Sequence, residues 1–70
     1  MEAQCIGKSS WPELMGWDGD HAVVRIEKEN RNVNARILPP RTFVRAPFSC
    51  TNVWVRVDDF GKVNQIPQIG

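Results

Sequence analysis

Val53-Trp54-Val55-Arg56-Val57 alternates apolar and polar side chains without a break, the period of a strand with one face in a core and the other outside it. A second run of this kind, Val33-Asn34-Ala35-Arg36-Ile37, lies upstream. What separates the two decides the fold. The stretch from Pro39 to Thr51 holds Pro39, Pro40 and Pro47, and its apolar residues Phe43, Val44 and Phe48 follow neither period. Neighbouring antiparallel strands need only a tight turn, so a long crossing between them points to parallel pairing. A loop this long inside a small chain is uncommon and usually carries function.

The rest is read outward from that core. Asp58-Asp59-Phe60-Gly61 is a turn, with Gly61 taking the positive φ, and Lys62 to Ile66 is expected to return as a short antiparallel strand that Pro67 ends. Upstream, Asp20 is the expected N-cap of a helix over His21 to Asn30. Ala22, Val23 and Ile26 form its inner face, Arg25, Glu27, Lys28 and Glu29 face water, and Asn30-Arg31-Asn32 stops it. Before it, Ser10 and Glu13 have capping-box spacing, with Pro12 where a first helical turn tolerates it. That short turn ends at Gly16 and directs Trp11 and Leu14 into the core, while Trp17 and His21 are expected at the surface.

Seventy residues make one domain, 1–70, with a small core. Nine basic and eight acidic side chains leave a net charge of +1, and the arginines are scattered, so there is no field to draw in nucleic acid or anionic lipid. No apolar run is long enough to span a bilayer. The N-terminus, Met1-Glu2-Ala3-Gln4-Cys5, carries no basic-then-apolar signal pattern, which fits either a chain numbered from an added Met or one made without a signal; the compartment stays open. A lone histidine and two distant cysteines do not make a zinc site, and no Cys-x-x-Cys is present. Without a metal cluster, a Gly-rich phosphate loop or an acid–base pair, neither a cofactor nor an enzymatic activity is expected.

Cys5 and Cys50 are either one disulfide or two free thiols; small size and an even count favour the bridge. A bridge closing a loop of about 45 residues stabilises by roughly 4 kcal/mol in the chain-entropy model.

Several stretches taken together resemble the potato inhibitor I family of serine protease inhibitors. Ser9-Ser10-Trp11-Pro12-Glu13-Leu14-Met15-Gly16 is similar to its Trp-Pro-Glu-Leu-Val-Gly signature. Glu27 to Val33 is similar to its helix end and first strand, Val53 to Asp58 to its second strand, and Gln65-Ile66-Pro67-Gln68-Ile69-Gly70 to its tail. The resemblance runs nearly the whole chain. It implies an α+β fold in which one helix packs on a small mixed sheet and a long exposed binding loop joins two parallel strands. Plant members of the family often carry a disulfide at the positions of Cys5 and Cys50. The implied mechanism is substrate-like insertion of the loop, Val44 to Phe48, into a protease active site, with the reactive bond at Ala46-Pro47.

Here the chain departs from the family pattern. A typical member has Thr at Arg45, Asp at Pro47 and Arg at Ser49, and places loop-supporting arginines at Asn52 and Trp54. Trp at the second of these positions is known in the family. Asn52 and Trp54 are therefore the expected loop supports. Pro47 fixes its own φ and pushes Ala46 towards an extended conformation, a covalent substitute for the missing hydrogen bonds. Ala46 in the specificity pocket suits elastase-like or subtilisin-like enzymes. A one-residue shift would put Arg45 into a trypsin-type pocket. The expected inhibitor acts as a monomer. The alternative is a non-inhibitory interaction or stress protein that keeps the scaffold with a diverged loop.

Overall fold

The computed structural model describes residues 5–70. In chain order these form a 3-10 turn at Pro12–Leu14, helix α1 (Gly19–Glu29), strand β1 (Asn34–Leu38) and strand β2 (Asn52–Arg56). The two strands pair in parallel, Asn34 opposite Asn52 through Leu38 opposite Arg56. The alternation read from the sequence sets the faces. Val53 and Val55 are fully buried, whereas Asn52, Trp54 and Arg56 lie half-buried on the other face. The register puts Asn34, Arg36 and Leu38 beside that second face.

The core gathers Trp11, Leu14, Ala22, Ile26, Val33, Val53, Val55, Val57, Val63 and Ile69, with Val23 packed at its margin. Each large side chain here contributes about 1.5–3 kcal/mol by leaving water. Trp11 is buried with its polar edge satisfied, its indole N–H donating to Glu29 Oε1 at 2.9 Å. Trp17 and His21 are exposed.

Three local expectations are corrected. The helix begins two residues before His21, with Asp18 rather than Asp20 at the N-cap; Asn30 is its C-cap. Gly19 explains the early start, because a Cβ there would stand 2.9 Å from Val57 Cγ1 and 3.3 Å from Ile37 Cδ1. Only glycine lets the first turn lie this close to the sheet, and Asp20 becomes a first-turn acid favoured by the helix dipole. The capping box does not form. The cap position is Trp11, Ser10 bridges Gln68 instead, and Glu13 pairs with Lys8. Nor is there a return strand over Lys62 to Ile66. Val63 makes one antiparallel bridge to Val57 and Lys62 one to Asp18. Asp58 Oδ1 accepts the N–H groups of Phe60 (2.8 Å) and Lys62 (3.0 Å), curling the chain so that it is shared between two partners. Gly61, at φ 76°, takes the left-handed position of that turn as expected.

Asn30 is the buried polar residue that ties in the N-terminal segment. Its Nδ2 donates to Ile6 O (2.9 Å) and Lys8 O (3.0 Å), and its Oδ1 accepts from Asn32 N (2.9 Å). Asn30→Ala removes all three bonds and is expected to cost about 2 kcal/mol. A thermal melt should show the midpoint falling by roughly 8–16 °C; a shift under about 3 °C would show that water replaces the amide. Around it, hydrogen bonds from Lys8 hold the Glu13 and Glu29 carboxyls below their ordinary range, and Lys62 does the same for Asp18. These pairs are exposed and contribute little to stability.

Candidate functional site

The parallel ladder forces the chain to leave β1 at Leu38 and re-enter β2 at Asn52, at the opposite end of the sheet. The connection is therefore anchored at two separate feet. At the first, Pro39-Pro40 leads into Arg41, whose φ of 60° is the one positive value at a non-glycine residue among those described. Arg41 Nη2 lies 3.3 Å from Asp59 Oδ1, in the turn after β2. Next along the chain, Thr42 O accepts a hydrogen bond from Arg56 Nη1 at 3.3 Å.

The second foot is tied more heavily. Ser49 Oγ accepts Thr51 N (3.2 Å) and shares a hydrogen bond with Thr51 Oγ1 (2.9 Å), while Ser49 O accepts Asn52 N (3.3 Å). Cys50 is bonded to Cys5, so the open choice between thiols and bridge resolves as the disulfide. Gly70 N donates to Asn52 O at 3.0 Å, bringing the C-terminal residue alongside the ring of Phe48.

Between the feet, residues 42–49 adopt no helix, strand or turn. Val44 is half-buried, and Arg45, Ala46, Pro47 and Phe48 are exposed. Phe43, at 92% exposure, and Phe48, at 63%, stand as two unburied aromatics at the ends of this crest. Among the described residues, none from Phe43 to Phe48 hydrogen-bonds to the scaffold. Their backbone N–H and C=O groups, absent at Pro47 N, are available to a partner that would add a strand alongside.

Of the two expected supports, Asn52 contributes through its backbone, and neither its side chain nor the Trp54 indole hydrogen-bonds to the loop among the described residues. Trp54 instead lines a shallow groove between β2 and the C-terminal segment, with Arg56, Ile66 and Gly70. Sequence reasoning missed Arg56. The period of two that places Asn52 and Trp54 on the outer face places Arg56 there as well, and that was the available signal.

The chain as a whole has known counterparts. A sequence model of the potato inhibitor I family matches residues 2–70. This chain belongs to the potato inhibitor I family. Its members are protease inhibitors rather than enzymes. It is 44% identical over 66 residues to a proteinase inhibitor from Linum usitatissimum, covering 94% of this chain and 96% of the relative. A trypsin/subtilisin inhibitor from Amaranthus caudatus is 41% identical over the same shares. In structure, the chain is similar to the crystal structure of bitter gourd trypsin inhibitor, with a TM-score of 0.91, 41% identity, and coverage of 97% of this chain and all of the other. In this potato inhibitor I chain, residues 42–49 are the irregular stretch between the end of β1 and the start of β2.

Proposed function

We infer that this protein, acting through residues 1–70 as a monomer, inhibits serine proteases one-to-one by presenting Val44 to Phe48 as a substrate-like strand, with Ala46-Pro47 at the position of the reactive bond. What carries the reading is the crest itself: a largely exposed stretch that, among the described residues, has no hydrogen bonds to the scaffold from Phe43 to Phe48 and is fastened at both feet. The names of its relatives support serine proteases as the targets, trypsin and subtilisin among them. A flexible peptide of the same sequence loses chain freedom when it binds. A fastened loop has lost it already, so more of the contact energy appears as affinity.

Ala46 is small and exposed, suited to a shallow apolar pocket of the elastase or subtilisin kind. Pro47 biases Ala46 towards the extended geometry a protease requires. It also makes the bond a tertiary amide, which serine proteases cut poorly. The experiment is a titration against trypsin, chymotrypsin, elastase and subtilisin at equal enzyme concentrations. We expect stoichiometric loss of elastase or subtilisin activity, with mass spectrometry showing Ala46-Pro47 intact after prolonged incubation. Rapid hydrolysis of that bond would refute the uncleaved mode, and full activity in all four enzymes would refute inhibition.

A further inference from the structure

We propose that Arg56 is a positioning residue for the inhibitory loop, holding its incoming arm at Thr42 in the place where this chain lacks the arginines expected at Asn52 and Trp54. The functional half of this claim rests on the inhibitor reading above; the structural half does not.

Across residues 42–48, the one hydrogen bond received from the scaffold, among the described residues, is Arg56 Nη1 to Thr42 O at 3.3 Å. The second foot has a disulfide and several hydrogen bonds. Among the described residues, the first has this bond and the Arg41–Asp59 pair, whose side chains are 80% and 67% exposed. Solvent screens a pair like that almost to nothing. Arg56 is half-buried and its bond is partly shielded, which makes a charge-assisted contact stronger.

Position explains why Arg56 can do this. In the ladder it lies opposite Leu38, the last residue of β1, so its side chain starts beside the point where the loop departs. The backbone beneath it is fixed on both sides. Arg56 O accepts Asn64 N at 3.0 Å, and the next residue, Val57, donates to Leu38 O at 3.1 Å. A guanidinium projected from so rigid a base meets a carbonyl four residues along the loop and fixes where that carbonyl points. The same bond thereby sets the direction in which the chain enters Phe43 and the crest. Asn52 and Trp54 share the outer face with Arg56, but they sit nearer the second foot.

The test compares wild type, Arg56→Met and Arg56→Lys by three measurements. Methionine keeps much of the stem and removes the donor, and lysine restores a donor at slightly shorter reach. In the free protein, backbone amide relaxation should show residues 42–45 moving from rigid order parameters of about 0.85 towards about 0.6 in Arg56→Met, with β2 unchanged. Inhibition of whichever protease responds to wild type should weaken about tenfold, chiefly through faster dissociation. The melting midpoint should hardly move, and Arg56→Lys should recover most of both losses. Unchanged order at 42–48 in Arg56→Met overturns the proposal. So does loss of order spread over β2 with a lowered midpoint, which marks a role in the fold alone. Should Arg56→Met fail to fold, Arg56→Gln is measured in the same way. A wild type that inhibits none of the enzymes refutes the inhibitor reading only, since the relaxation data decide the role of Arg56 independently.

Discussion

Ala46→Arg is expected to turn this protein into a strong trypsin ligand. If Ala46 is the residue that enters the specificity pocket, its replacement places a guanidinium against the carboxylate at the base of a trypsin-type pocket. A desolvated charge pair of this kind changes binding by about 2–5 kcal/mol, roughly thirtyfold to several thousandfold. The side chain at 46 is exposed and, among the described residues, makes no hydrogen bond to the scaffold, so the change should leave the fold intact. Inhibition constants for trypsin and subtilisin, before and after substitution, measure the effect. Arg45→Ala provides the opposing arm. If the loop binds one residue out of step, wild type already inhibits trypsin, Arg45→Ala abolishes this, and Ala46→Arg adds little.

The second large effect is expected from the disulfide. Replacing both Cys5 and Cys50 by Ala removes a bond that closes a separation of 45 residues, worth roughly 4 kcal/mol in the chain-entropy model. Domains of this size have only about 5–15 kcal/mol in total. The thermal midpoint should therefore fall by roughly 15–30 °C relative to the oxidised wild type. Inhibition should also weaken at temperatures where the variant remains folded, because Cys50 forms part of the second foot. A midpoint within about 5 °C of wild type would mean that the Asn30 bonds to Ile6 and Lys8 already hold the N-terminal segment in place.

The parts of the fold that could be read in advance are those with a period. Val53 and Val55 inward against Trp54 and Arg56 outward is a pattern one strand can satisfy in only one way. The Pro-rich stretch between two such runs then implied their parallel pairing. Errors arose where a long-range contact outweighed a local rule. Glu13 has capping spacing from Ser10, yet Lys8 captures its carboxylate. Asp20 is a sound N-cap by type, yet Gly19 lets the helix start earlier by removing a clash with Val57 and Ile37 that no local window contains. The loop was legible as irregular chain by the opposite signal, since Val44 to Phe48 lacks any period that would bury it, and residues 42–49 adopt no helix, strand or turn. Its fastening was only half legible. The cysteines announced one foot, while the grip of Arg56 on Thr42 joins residues 14 apart in sequence through a register that no single strand reveals.

The bond between Cys5 and Cys50 turns most of the chain into a covalent ring, and Ala46-Pro47 lies within it. An enzyme that severed a bond there would linearise the ring without freeing a fragment. The halves would remain joined through sulfur and zipped by β1 and β2, which stand on opposite sides of the cut. The new carboxylate and amine would be kept at high local concentration, favouring resealing over escape. The two pieces part only when the disulfide is also reduced, before or after the cut, and the β1–β2 pairing gives way, so release of this inhibitor in fragments takes two different chemistries.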